Sequence, residues 1–313
     1  MKTAVLTADG FVLREEEIPS CGANEVLVKS AGCGVCEGDV FRYVTRNDNA
    51  GDDKGIRMGH EGSGIVAAVG SNVSEFKAGD KVTSLYGDYA EYFLADKSHL
   101  AIVPDEVDVA MALGEPIACC MSGARRFGIK MGDRVAIIGA GYMGLTCMQF
   151  VQLEGAAEIV VMDLLDWRLD SAKELGADQV VNTTGKEPDE LLEELGEFDV
   201  VLEATGVQAA IDLGSKLLRH HGTLNLIGYH QSGGGMRQID MKDWNFKALT
   251  VVNSHVRDEV EKLDAMKASL QLIAHHKIDT NVLITNYKFE DINEAFTDLK
   301  ARKPGLYKAN LIF

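Results

Sequence analysis

No stretch of this 313-residue chain approaches the ~20 apolar residues of a membrane-spanning helix, so no membrane partner is expected. Basic residues are scarce. Lys and Arg number 31 against 48 Asp and Glu, a formal charge of −17. That surplus of carboxylates repels phosphate backbones and anionic lipid, which argues against nucleic-acid or membrane-surface binding. Cysteines are few: Cys21, Cys33, Cys36, Cys119, Cys120 and Cys147, not spaced like a secreted disulfide scaffold. A reducing, cytoplasmic setting is expected, with free thiols or metal ligands. The N-terminal MKTAVLTADGFVLREEE has no long apolar core, so no secretory leader is expected. Internal repeats and low-complexity tracts are also missing.

What is present is ordinary globular material, 46% hydrophobic and 25% charged, long enough for two domains. Residues 1–125 hold short strand-like runs broken by Gly, Asp and Asn, such as NEVLVKSAG and GSGIVAAVG. They suggest a β-rich, barrel-like domain. Residues 126–260 alternate strand and helix patterns: RVAIIGAG then MGLTCMQFVQLEGA, EIVVMD then DWRLDSAKELGA, and FDVVLEATG then VQAAIDLGSKLLRHHG. That alternation argues a doubly wound parallel sheet. His220 and His221 fall at the end of the last helical pattern. The tail, 261–313, carries two helical patterns and closes on an apolar strand, KANLIF. The fold class expected is therefore α/β.

Arg134–Ile138 reads as a buried strand running into Gly139-Ala-Gly141-Tyr142-Met143-Gly144 and then an apolar helix. A lone G-x-G-x-x-G is weak, but here the context is right. The first glycine makes the turn, the second lets backbone approach a pyrophosphate, and the third lets helix and strand pack closely. The helix N-terminus offers free N–H groups and a positive dipole end. Asp163 ends the next strand, where it can bind both ribose hydroxyls. Its charge repels a 2′-phosphate, so NAD is favoured over NADP, although nearby Arg168 keeps NADP from being excluded. Thr205, Gly206 and Gly228 end later strands, where a dinucleotide crosses. His255, after a further strand, is a candidate for the nicotinamide end.

A second cluster raises a different question. His60 and Glu61 sit among glycines immediately before the apolar run Ile65–Val69. Buried charge is costly unless it is paired or bound to a metal. Cys36 lies 24 residues upstream of His60, and Glu115 lies shortly before the nucleotide strand. Thiolate, imidazole and carboxylate form a set that suits Zn²⁺. Scattered ligands flanked by glycines fit an open catalytic site better than a closed structural one. Cys33-Gly-Val-Cys36 is the only C-x-x-C and lacks a thioredoxin-like context.

The segments GCGVCEGD, GHEGSGIVAAVGSNVSEFKAGDKV, YAEYF and the nucleotide motif, in this order, resemble the medium-chain zinc-dependent alcohol and polyol dehydrogenases. The resemblance implies a GroES-like catalytic domain, 1–125 with 261–313, and a Rossmann nicotinamide-binding domain, 126–260. It implies Cys36 and His60 as zinc ligands, Glu61 as an adjoining or intermittent ligand, and Asp39 as a supporting acid. It places Glu115 where sorbitol-dehydrogenase-like members carry a glutamate that serves the metal, and Lys308 on the cofactor pyrophosphate. The implied reaction moves hydride between a secondary alcohol of a polyol, sugar or related small molecule and NAD. Homodimers or homotetramers are implied as well. Two departures stand out. GDKVTSL runs directly into YGDYAEYF, without the cysteine-rich lobe that holds a second zinc in relatives, so one zinc per chain is expected. Gly38 replaces the Ser or Thr that passes the alcohol proton outward in relatives, leaving water, Glu37, Tyr86 or another group for that task. Two rival readings follow: a zinc-free quinone- or enoyl-type reductase of the same superfamily, and a non-catalytic NAD(H)-binding protein.

Overall fold

The computed structural model describes residues 1–46 and 55–313. The chain divides into two compact units: Met1–Ala118 with Arg257–Phe313, and Cys119–Val256. The sequence reading put these divisions at 125/126 and 260/261. The observed boundary between Ala118 and Cys119 falls inside the helix Gly114–Ala124. Among the described residues no helix is long and apolar enough to cross a membrane.

The first unit is built on the strand Glu25–Gly34, which pairs with three others. It runs antiparallel to Glu61–Val69, to Tyr92–Asp96 and to Lys308–Ile312. Lys81–Ser84 and Leu100–Ile102 extend the sheet beyond Glu61–Val69, and Ile284–Lys288 extends it beyond Lys308–Ile312. Three short strands, Gly10–Glu15, Lys2–Thr7 and Ile56–Arg57, form a second sheet. Apolar alternation drives this arrangement: Val26 and Val28 are buried with Val66, Val82, Phe93 and Leu100 in one core. A second core gathers the rings of Phe11, Tyr43, Tyr89 and Phe296, with centroids 4.7–5.9 Å apart. Such aromatic packing fixes the helix Glu37–Val44 and the helix Ile292–Lys300 over the sheet end.

Register decides where the chemistry falls. Gly34 pairs with Glu61 and Cys33 with Gly62, while on the opposite edge Asn310 pairs with Gly34. Cys36, His60, Glu61 and Lys308 thus emerge at one end of three adjacent strands, although they lie far apart in sequence.

The second unit is a six-stranded, wholly parallel sheet. Its order is Gln179–Asn182, Glu158–Asp163, Arg134–Ile138, Phe198–Glu203, Leu218–Leu226, Thr250–Asn253. This is the doubly wound arrangement, with the order reversing beside Arg134–Ile138. Near-continuous burial of VAII, IVVM and VVLE matches strands covered on both faces.

One local expectation is corrected. His220 and His221 do not end a helix. The helix Gln208–Leu217 stops early, and Leu218–Leu226 is a strand parallel to Phe198–Glu203. The Lys247 ammonium donates to the carbonyls of Ser215 (2.9 Å) and Lys216 (2.8 Å) and so satisfies the helix's last acceptors.

Candidate active site

The sulfur of Cys36, a ring nitrogen of His60 and a carboxylate oxygen of Glu61 lie within 4.8 Å of one another, the arrangement a single metal ion requires. Cys36 caps the helix Glu37–Val44, its carbonyl accepting the N–H groups of Asp39 (2.9 Å) and Val40 (3.1 Å). Asp39 Oδ2 sits 3.5 Å from His60 Nδ1 and accepts a 2.7 Å hydrogen bond from the Tyr89 hydroxyl. A carboxylate on one imidazole nitrogen leaves the other for the metal and fixes the ring. Replacing Asp39 with Asn is expected to weaken zinc affinity by about 10–100-fold, the usual effect of losing such a partner. Competition against a chromogenic chelator measures it.

The electrostatics fit a cation. Burial pulls the His60 imidazole toward neutrality. The hydrogen bond to Cys36 and the charges of Glu61, Cys36 and Asp39 outweigh that, and its pKa rises to about 9. Metal-free His60 is therefore held as imidazolium, stabilising the fold at neutral pH and below and losing that contribution as pH rises through about 9. Metal uptake must displace the proton. Glu61 is buried, and burial pushes its pKa up against the opposing pull of Lys308. Its Oε1 accepts a 2.6 Å hydrogen bond from the Lys308 ammonium, while its Oε2 is buried without a hydrogen-bond partner among the described residues. An orphaned buried carboxylate oxygen beside a thiolate and an imidazole is what a zinc ion would satisfy. Gly34 makes the arrangement possible: a Cβ there would stand 2.1 Å from Glu61 Oε2 and 3.1 Å from Lys308 Cε.

The structure does not bring Glu115 into that trio. Its Oε1 takes a 2.8 Å hydrogen bond from the Lys262 ammonium, although its charge still raises Glu61. Lys308, expected on the cofactor, lies against Glu61. Tyr86, one candidate for the proton path, donates to Glu259, whose other oxygen is 3.0 Å from His99 Nε2.

In the second unit the glycine turn has the shape a dinucleotide needs. Gly139 adopts φ +105°, and a Cβ on Gly144 would meet the Gly139 carbonyl at 1.9 Å. Gly141 caps the helix Tyr142–Glu154 and opens on free space, while Met143 packs its sulfur 3.6 Å from Cys120. Asp163 Oδ2 accepts the Ala140 N–H at 2.8 Å, tying the turn to the adjoining strand end. Arg168 lies over the Trp167 ring and 3.7 Å from Asp163, its Nε buried without a hydrogen-bond partner among the described residues. An open helix N-terminus and an orphaned guanidinium donor beside a carboxylate fit a nucleotide's phosphate and ribose. Thr205, Gly206 and Gly228 converge: a Cβ on Gly228 would lie 2.1 Å from the Gly206 nitrogen. His255 Nε2 is 3.2 Å from the Gly228 carbonyl. Sequence reasoning missed Tyr89, Lys262, Glu203, His230 and Arg237. Only Glu203 carried a signal, a charge ending a buried strand, as at Glu61.

The comparisons with known proteins agree with this geometry. Residues 22–105 match the alcohol dehydrogenase GroES-like domain, and residues 143–275 match the zinc-binding dehydrogenase domain. The sorbitol dehydrogenase of Gallus gallus is 28% identical, covering 96% of this chain and 93% of that protein. The sorbitol dehydrogenase of Ovis aries is 30% identical, covering 69% of this chain and 71% of its own length. The galactitol-1-phosphate dehydrogenase of Escherichia coli superposes with a TM-score of 0.86 at 25% identity over all of both chains. The chain belongs to the medium-chain zinc-dependent alcohol and polyol dehydrogenases. It is an oxidoreductase that uses zinc and a nicotinamide dinucleotide, and it combines a GroES-like unit with a Rossmann-type sheet. Membership and the Cys–His–Glu trio together count against the zinc-free reductase reading.

Proposed function

We propose that this chain oxidises a secondary alcohol of an uncharged polyol or sugar with NAD, and reduces the ketone in reverse. The observation that carries the reading is the Cys36–His60–Glu61 trio, with ligand atoms within 4.8 Å, in a chain that also builds the doubly wound sheet. When bound, zinc supplies Lewis acidity that makes a substrate hydroxyl easier to deprotonate, and the nicotinamide supplies a hydride acceptor. Cys36, His60 and Glu61 would hold the metal, and Asp39 fixes the His60 ring. Lys308 balances Glu61, and Lys262 balances Glu115. Four anionic groups (Cys36, Asp39, Glu61, Glu115) thus meet two ammonium groups and one divalent ion, leaving little net charge to attract an anionic substrate. The alcohol carbon gives up hydride and the hydroxyl gives up a proton to solvent, and Gly38 takes no part in that transfer.

Asp163 is proposed to take the adenosine ribose hydroxyls and to disfavour a 2′-phosphate, with Gly139, Gly141, Tyr142, Met143 and Gly144 at the pyrophosphate. Thr205, Gly206 and Gly228 would line the nicotinamide half. Six cysteines in 313 residues, not spaced as a disulfide scaffold, support a reducing cytoplasmic setting. The edge strand Thr250–Asn253, with Val251 exposed, supports pairing of two copies. The test is a panel of neutral polyols, sugars and their phosphate esters with NAD and NADP. Faster NADH formation from a neutral polyol than from its phosphate ester is expected. Preference for the ester, or for NADP, would overturn the assignment.

A further inference from the structure

The second unit holds a string of charged and polar side chains that no step of the reaction uses. Glu203 ends the strand Phe198–Glu203 and is fully buried. Its Oε1 accepts the N–H groups of Thr205 (2.7 Å) and Gly206 (2.8 Å), together with the Thr205 hydroxyl. Its Oε2 lies 3.0 Å from His230 Nε2, within ion-pair distance although outside hydrogen-bond geometry, and neither atom has a hydrogen bond among the described residues. On the other side of the imidazole, Arg237 Nε donates to His230 Nδ1 at 3.0 Å. Arg237 Nη2 then donates to the Gly206 carbonyl at 2.7 Å, and Nη1 to the carbonyls of Ser232 (2.7 Å) and Met236 (2.6 Å).

The string closes on one residue. Glu203 holds Gly206 by its N–H and Arg237 holds it by its C=O. Gly206 itself is at φ +75°, and a Cβ on it would meet the Tyr229 carbonyl at 2.7 Å. The turns that follow Phe198–Glu203 and Leu218–Leu226 are thereby locked backbone to backbone. Tautomer is fixed too. Arginine can only donate, so His230 Nδ1 must be the acceptor, and a neutral ring then carries its proton on Nε2, facing Glu203. The loop linking His230 to Arg237 includes Gly233, Gly234 and Gly235, all at positive φ. Such a segment is floppy unless something fixes it, and Arg237 does.

Position gives the string its meaning. In a doubly wound sheet the ligand lies off the carboxyl ends of the strands and spans both halves. Arg134–Ile138, Glu158–Asp163 and Gln179–Asn182, with the glycine turn and Asp163, form the adenosine half. The ends of Phe198–Glu203 and Leu218–Leu226 belong to the other half. We propose that His230 and Arg237, through Glu203, are positioning residues for the nicotinamide half of the cofactor. They hold the Gly206 backbone ready before the cofactor arrives, which spares the ordering that binding would otherwise require. The inference rests on the nicotinamide reading given above.

The experiment compares two ligands that share the adenosine half, NADH and ADP, the second lacking both the nicotinamide and its ribose. Affinities for both are measured by calorimetry on the full-length wild type and on His230→Gln, His230→Asn and Arg237→Gln. Gln at 230 can still reach Glu203 but offers Arg237 no acceptor at the Nδ1 position. Asn places an acceptor near Nδ1 and so keeps Arg237. Expected results are a loss of about tenfold in NADH affinity for His230→Gln and Arg237→Gln, about threefold for His230→Asn, and ADP within about twofold throughout. Parallel loss of both ligands would overturn the proposal, since a general loosening of the unit moves them together. Unchanged NADH affinity in all three variants would overturn it as well. A wild type that binds neither ligand would overturn the cofactor reading itself, and the inference with it.

Discussion

Cys36→Ser is expected to abolish metal retention and to lower kcat/KM for polyol oxidation by about 10³-fold or more. Thiolate is the softest and most strongly held donor of the trio, and a neutral hydroxyl is a poor substitute for it at Zn²⁺. Losing the metal's charge stabilisation removes several kcal/mol from the transition state, and each ~1.4 kcal/mol is tenfold in rate. The fold should survive. Cys36 occupies the N-cap of the helix Glu37–Val44, a position where serine is favoured. Calorimetric affinity for NADH reports on the second unit and should stay at the wild-type value. The decisive readings are zinc content after dialysis and NADH formation from the best polyol. A variant that keeps both its zinc and its turnover would remove Cys36 from the site.

The second large effect is on stability. Lys308→Met removes the ammonium paired with the buried Glu61 carboxylate and leaves only the neighbouring His60 to offset its charge; breaking a buried pair by removing one partner costs roughly 3–5 kcal/mol. The sign with pH follows from Glu61. Burial already raises its pKa, and removing the ammonium raises it further. Protonated Glu61 is tolerated in the folded state, so the loss is smallest in mild acid and deepens as pH rises and the carboxylate must ionise. At the proposed site, Cys36, His60 and Glu61 would hold a zinc ion whose positive charge offsets the same carboxylate. Added zinc should therefore restore a large part of the lost stability, and a chelator should remove it again. Thermal melts across pH, with zinc and with chelator, read all three effects. A variant as stable as wild type in alkaline, metal-free buffer would show that Glu61 and Lys308 do not depend on each other.

What could be read from the sequence, and what could not, follows from distance along the chain. The dinucleotide turn was legible because its physics is local: a buried strand, three glycines and an apolar helix lie within 21 consecutive residues, 134–154. The ligand types Cys36, His60 and Glu61 were legible as chemistry, because a charge at the mouth of an apolar strand demands a partner. Which partner was not legible. Lys308 reaches Glu61 from 247 positions away, and Lys262 reaches Glu115 from 147. Both contacts are set by where strands and helices pack, not by any local pattern. The same limit explains Glu115: its residue type suits zinc, but a lysine from the helix Glu259–Ala274 claims its Oε1. It also explains the misread helix end at His220 and His221. The run SKLLRHHG has helical composition, yet parallel pairing with Phe198–Glu203 and the Lys247 ammonium end the helix at Leu217. The Glu203–His230–Arg237 string went unseen for a related reason, since His230 and Arg237 sit in a glycine-rich loop with no periodic signal.

The central claim is one open zinc site per chain, built from Cys36, His60 and Glu61, with no second, structural zinc. Metal stoichiometry by mass spectrometry tests it most directly, on protein purified without chelator or added metal. About one zinc per chain is predicted, falling to none in Cys36→Ser. Two zinc ions per chain, or none with failure to rebind zinc on addition, would contradict the account.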